Sequence, residues 1–174
     1  VKRKGLLVVF TGEGKGKTTA ALGMVLRAAG HSMDVGVFQF IKGGWKYGEL
    51  EALRKLPTVE VFQLGKGFIK KSKDIDEDAA LVKEGWRKAK KAIQEGKYDM
   101  VVLDEINYAF HYGFLKPEEV LEVLQQRPPL IHVIMTGRYA PVEIVEAADL
   151  VTEMKMVKHH YRDQDVRAQK GIEF

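Results

Sequence analysis

Glycines followed by a lysine and a threonine can grip a phosphate chain, and residues 12–19 read GEGKGKTT. Gly12, Gly14 and Gly16 let backbone N–H groups turn inward around anionic oxygens, with Glu13 and Lys15 between them. Lys17 adds a point charge, the Thr18 hydroxyl is a ligand for Mg²⁺, and Thr19 begins the Ala/Leu-rich stretch that follows. Together these residues predict a nucleoside-triphosphate site. One position departs from the usual spacing: Thr11 stands five residues before Gly16, where the Walker A pattern has glycine. The first glycine is displaced to Gly12, which predicts a tighter loop and a triphosphate seated differently from that of an ordinary ATPase.

The acidic half of such a site is Asp104 with Glu105, directly after the apolar run 100–103. A carboxylate there can hold Mg²⁺ directly or through water, opposite Thr18. Two mechanisms stay open at this point. If Glu105 positions a water the protein is a hydrolase; if it binds metal, the triphosphate is held for another reaction. Arg138, in Thr-Gly-Arg at 136–138, is a candidate charge clamp on a phosphate, against the plainer reading of a surface arginine. His159 and His160 are adjacent and cannot both face one metal from a regular strand, so no zinc site is predicted.

The elements that must position these groups follow from apolar runs and periodicity. Strands are predicted at 6–10, 35–42, 59–64, 100–103 and 130–135, with a last apolar segment at 150–157. Helices are predicted at 20–29, 49–55, 76–94, 117–126 and 142–148, the first ending at Gly30 and the fourth opening on Pro117. In the long helix Ala79, Val82, Trp86, Ala89 and Ile93 recur at three- and four-residue spacing, and Lys83, Arg87, Lys88, Lys90 and Lys91 form a basic face read as a solvated surface. Strands alternating with long crossovers indicate one α/β domain over 1–174, a mostly parallel sheet with helices on both faces. Ligands then lie beyond the carboxyl ends of the strands, which puts the glycine loop, Gln39, the polar loop 65–74, Asp104, Glu105 and Arg138 on one rim.

Composition bounds the rest. The 174 residues are 45% hydrophobic and 30% charged, with net charge +4, ordinary for a globular domain; a triphosphate site alone accounts for some positive excess. There is no cysteine, hence no disulfide and no thiolate metal site. Nothing resembles a signal peptide or a span of about 18 apolar residues, so a cytoplasmic protein without a membrane partner is expected. Starting at Val1 rather than Met, the sequence is expected to lack an N-terminal piece. The tail 158–174 is basic, and its apolar Ile172 and Phe174 are expected to pack back onto the body.

The stretches TGEGKGKTTAALG, RAAGHSMDVGVFQFIKG, VVLDEINYA, TGRYAP, ADLVTEM and the closing AQKGIEF closely resemble the ATP:corrinoid adenosyltransferases, also called cob(I)alamin adenosyltransferases, from about Gly5 to Phe174. The resemblance implies a RecA-like P-loop fold, usually homodimeric. It implies transfer of the adenosyl group of ATP to a reduced corrinoid such as cobalamin, with release of triphosphate, and an electron-donating reductase such as a flavoprotein. Carried over by motif position, Gly12 to Thr18 hold the phosphates, Lys17 counters their charge, Thr18 and Glu105 bind Mg²⁺, Arg138 contacts a phosphate, and the final segment with Gln169 helps close the nucleotide site. Well-known members carry GFTW after the third strand, where Phe and Trp help strip the lower axial ligand from cobalt. Here Gly67, Phe68, Ile69 and Lys70 stand there, so Phe68 remains as a catalytic candidate while lysine replaces tryptophan. Either Phe68 with Ile69 suffices, or another side chain supplies the bulk, or the preferred corrinoid differs. An N-terminal segment that in some members covers the corrinoid is expected to be short or missing. Other classes weighed against this one are a DNA-linked RecA-like ATPase, which lacks a recognisable nucleic-acid module, a deoxynucleoside kinase, and a non-catalytic carrier.

Overall fold

Burial of the strands follows their place in the sheet. A computed structural model describes residues 3–41, 47–65 and 75–174. In chain order the elements are β1 (Leu7–Thr11), α1 (Lys17–Gly30), β2 (Val35–Gln39), α2 (Gly48–Leu53), β3 (Val59–Gln63), α3 (Ile75–Gln94), β4 (Met100–Asp104), α4 (Ile106–His111), α5 (Pro117–Gln125), β5 (His132–Thr136), α6 (Val142–Ala147), β6 (Leu150–Glu153) and α7 (His160–Gln164). The six strands form one sheet in the order β3-β2-β4-β5-β1-β6, and every neighbouring pair is parallel. The four inner strands are almost wholly buried, whereas the edge strand β3 is partly exposed and β6 exposed throughout. This is the parallel α/β architecture of a RecA-like P-loop fold.

Side chains alternate between two cores, as a strand period of two requires. Leu7, Val9, Val101, Leu103, Val133 and Met135 face a core closed by α3, α4, α5 and α6. Val8, Phe10, Met100, Val102 and Ile134 face the opposite core, closed by α1 and α2. Removing one such side chain from water is worth about 1.5–3 kcal/mol, so the two cores fix both the register and the layer order. Within α3 the buried residues include Val82, Trp86, Ala89 and Ile93, as their spacing predicts, while Arg87 and Lys88 pair with Glu84 on the solvent side.

Several features differ from the sequence expectation, among them the short helix α7, which no pattern predicted, and β2, which ends at Gln39. α1 starts at Lys17, directly after the glycine loop, instead of at residue 20. β6 covers only Leu150–Glu153 of the 150–157 segment, because the chain beyond it turns along the glycine loop. Helix α4 was not foreseen: its sequence INYAFH is rich in residues that suit strands, and it is held instead by burial of Ile106, Asn107, Ala109 and Phe110.

Because all strands are parallel, β1, β2, β4 and β5 end on one rim, at Thr11, Gln39, Asp104 and Thr136. β5 lies between the strand that feeds the glycine loop and the strand that ends in the acidic pair. A residue at the end of β5 therefore reaches both.

Candidate active site

The glycine loop takes its shape from the chain leaving β6. Thr11 still pairs with Glu153 as the last residue of β1, and the reversal begins at Gly12, at φ 94°. A Cβ on Gly12 would lie 2.6 Å from the Met154 carbonyl oxygen, and one on Gly14 would lie 2.7 Å from it. Gly14 donates its N–H to that same carbonyl at 2.6 Å. The displaced first glycine thus has a physical cause: strand pairing runs through Thr11, so the turn needs its left-handed residue at Gly12. Gly16, at φ 108°, then directs the chain into α1, whose first turn holds no acidic residue. The N–H groups and dipole at this helix start suit an anion.

Lys17 is folded inward, with Nζ donating to the carbonyl oxygens of Gly12 (2.8 Å) and Gly14 (2.6 Å). Only 8% of the residue is exposed. Burial lowers its pKa from the ordinary lysine value; nearby Glu105 opposes that shift and Arg138 reinforces it.

Asp104, wholly buried at the end of β4, accepts side-chain hydrogen bonds from Thr18, Thr136 and Gln39. Thr18 Oγ1 donates at 2.9 Å and Thr136 Oγ1 at 2.7 Å to one carboxylate oxygen, and Gln39 Nε2 donates at 3.2 Å to the other. The Thr136 hydroxyl also accepts the Glu105 N–H at 2.9 Å. Glu105 itself sits at φ 63°, a left-handed conformation rare outside glycine, where strand becomes helix. Gln39 and Thr136 are as buried as Asp104.

These groups fit Mg²⁺ by their chemistry. Thr18 directs its proton at Asp104, which leaves its oxygen lone pairs free for a cation, and the hydroxyl and the two carboxylates of Asp104 and Glu105 are all hard oxygen donors. Among the described residues no cluster of three or more His, Asp or Glu could hold a metal. An ion here needs phosphate oxygens and water to complete its shell, as Mg²⁺ usually does.

A family model described as ATP:corrinoid adenosyltransferase BtuR/CobO/CobP matches residues 3–174. The chain belongs to this family. A Sinorhizobium protein named corrinoid adenosyltransferase is 42% identical over 174 residues, covering 98% of this chain and 81% of that protein. Proteins of the same name from Pseudomonas aeruginosa and Escherichia coli K12 are each 44% identical, over 172 and 171 residues; both alignments cover 98% of this chain, and 84% and 86% of the respective relative.

In this corrinoid adenosyltransferase family member the remaining predicted residues fall in different places. Arg138 Nη1 lies 3.0 Å from Glu13 Oε2, across the mouth of the glycine loop. Thr19 is exposed in the first turn of α1. Gln169 is also exposed; its carbonyl oxygen accepts N–H groups from Ile172 and Glu173, so it shapes the tail without reaching the loop through any described contact. The tail residue that reaches the loop is Glu173, with Oε2 3.1 Å from Lys15 Nζ and Oε1 2.6 Å from His160 Nε2, an ion pair when that ring is protonated. Ile172, expected to pack inward, is 76% exposed, because the turn that presents Glu173 points it outward. Phe68 and Lys70 lie outside the described residues.

The sequence reading placed Gln39 on the rim, a lone polar residue in an apolar strand, but missed the part of Thr136 and of Glu173. Thr136 is visible in the sequence only as a hydroxyl ending an apolar run; its place beside the acidic strand comes from the sheet order. Glu173 had no signal, since its partner is more than a hundred residues away. The ring cluster of Tyr108, His111, Tyr112 and Tyr139 beside Glu105 and Arg138 was also missed. Burial, reinforced by the charge of Glu105, pushes the Tyr108 phenol up to about 12.

Proposed function

We propose that this chain transfers the 5′-deoxyadenosyl group of ATP to the cobalt of a reduced corrinoid, cob(I)alamin or a precursor of it, and releases triphosphate. The observation that carries this reading is the family match over residues 3–174, supported by the Thr18–Asp104 hydrogen bond that joins the glycine loop to the acidic strand on one rim. In the reaction the Co(I) electron pair forms the bond to the ribose 5′ carbon, and the carbon–oxygen bond breaks with its electrons leaving on triphosphate. No external oxidant is needed, since cobalt supplies both electrons.

The task of the protein is then to hold C5′ in line with the nucleophile and to stabilise charge that grows on the departing phosphate. The N–H groups of residues 12–18 other than that of Gly14, the α1 dipole, Lys17 and Arg138 supply that positive field. Thr18, Asp104 and Glu105 would hold Mg²⁺, which adds charge neutralisation on the triphosphate. Glu105 acts here as a metal-side carboxylate and not as a base for water. Lys17 is also the residue whose loss leaves the Gly12 and Gly14 carbonyls facing each other across the loop. Phe68 is assigned to weakening the lower axial ligand when the corrinoid arrives as cob(II)alamin. A reductase of the flavoprotein kind supplies the electron in that case, and a cytoplasmic homodimer is the form that fits the family. Among the described residues no helix is long and apolar enough to cross a membrane.

The test is an anaerobic incubation with Mg²⁺, ATP and chemically reduced cobalamin, followed by the corrinoid spectrum. Conversion to the adenosylcobalamin spectrum supports the reading. An unchanged corrinoid alongside steady ATP hydrolysis would replace it with a RecA-like ATPase.

A further inference from the structure

The rim carries a ring that the transfer chemistry leaves unused. Tyr139 follows Arg138 in the turn after β5, is 46% exposed, and holds its backbone at φ 60°. An L side chain keeps that conformation only where its surroundings fix it. Both neighbours of Tyr139 are fixed on the glycine-loop side: Arg138 pairs with Glu13 at 3.0 Å, and the Ala140 N–H approaches Thr11 Oγ1 at 3.4 Å. The ring is therefore clamped at the edge of the phosphate site.

It is also backed. The His111 ring lies parallel to it, with centroids 4.1 Å apart and planes 22° apart, and Tyr108 meets it edge-on at 5.9 Å and 82°. Both backing rings come from α4, the helix that starts after Glu105. His111 stacks on one face of Tyr139 and Tyr108 meets the ring in a T-shaped contact, so the 46% exposure of Tyr139 lies on the side away from His111.

We propose that this open face of Tyr139 is the stacking platform for the purine base of the bound ATP. The inference rests on ATP being the substrate, as the transferase reading has it. A ring already immobilised by neighbours loses little freedom when a flat ligand settles on it. Arg138, one residue away, pairs with Glu13 at the loop mouth, which puts Tyr139 beside the loop that would take the phosphates. A corrin fits worse, because its puckered, largely saturated macrocycle carries amide arms on both faces and offers no flat face to a single phenol. With the base on Tyr139 and the phosphates in the loop, the ribose is held at both ends and its 5′ carbon stays between them. Stacking of this kind is tolerant of base identity, because every base has a π-face.

The experiment is equilibrium binding of ATP, GTP and inorganic tripolyphosphate to the parent chain, Tyr139→Asn and Tyr139→Phe. Asparagine tolerates the left-handed backbone while removing the ring. The expected result is that Tyr139→Asn weakens ATP and GTP alike by roughly tenfold, that Tyr139→Phe binds as the parent does, and that tripolyphosphate, which has no base, binds all three equally. Equal weakening of ATP and tripolyphosphate would overturn the proposal and make Tyr139 a support of the loop. Unchanged ATP binding with a raised KM for the corrinoid would overturn it in favour of the macrocycle. Because the readout is binding, a parent chain that binds ATP through Tyr139 yet forms no cobalt–carbon bond would sink the transferase reading and leave the platform standing.

Discussion

The glycine loop is held from two sides by different physics. On its inner side Thr18 joins a network of Asp104, Thr136 and Gln39, all three wholly buried, through hydrogen bonds of 2.7–3.2 Å. On its outer side Lys15 meets Glu173 and Arg138 meets Glu13 through ion pairs whose side chains are 22–50% exposed. Buried donors left without an acceptor cost their full desolvation, whereas an exposed ion pair is worth about 0–1 kcal/mol. The inner side should therefore set whether the site exists, and the outer side only how readily the loop stays closed.

That contrast orders the expected effects. Lys17→Ala removes the one lysine buried in the loop and should lower kcat/KM by a factor on the order of 10²–10³, read in steady-state assays with ATP varied. Asp104→Ala strands the Thr18, Thr136 and Gln39 donors at once and should cost about 3 kcal/mol of stability in urea denaturation, with activity lost as well. Thr136→Val keeps the shape but removes one donor to Asp104 and the acceptor for the Glu105 N–H, for about 1–2 kcal/mol. Glu173→Gln should change ATP affinity only a few-fold, by about 1 kcal/mol or less, and that difference should vanish in high salt. A Glu173→Gln effect as large as that of Thr136→Val would break the comparison.

The inner side also sets a pH dependence. Burial has lowered the Lys17 pKa, so as pH rises this cation is lost earlier than an ordinary lysine would be. ATP affinity should have an alkaline limb below the usual lysine range. Lys17→Arg, which stays charged, should move that limb to higher pH in a binding titration, whatever it does to the rate.

What could be read from the sequence was what local patterns encode. The inner strands announced themselves as apolar runs because both of their faces are buried, and the α3 face followed from the spacing of Val82, Trp86, Ala89 and Ile93. The glycine loop and the acidic pair were legible because each is contiguous. Contacts made across the fold were not. Thr136 gains its part from β5 lying between β1 and β4, Glu173 from a turn that returns to Lys15, and Tyr139 from rings on α4, a helix whose composition resembles a strand. Thr11 showed the converse: its departure from the glycine pattern was visible at once, but the cause, its pairing with Glu153 of β6, needed the sheet.

The central claim is that this site holds triphosphate as a leaving group and does not split it. Rapid-quench analysis of a single anaerobic turnover with Mg²⁺, ATP and cob(I)alamin tests that most directly, by separating every phosphate product at each time point. Intact triphosphate should appear at the same rate and in the same amount as adenosylcobalamin. Orthophosphate or ADP forming ahead of any cobalt–carbon bond would contradict it and return Glu105 to the role of positioning water.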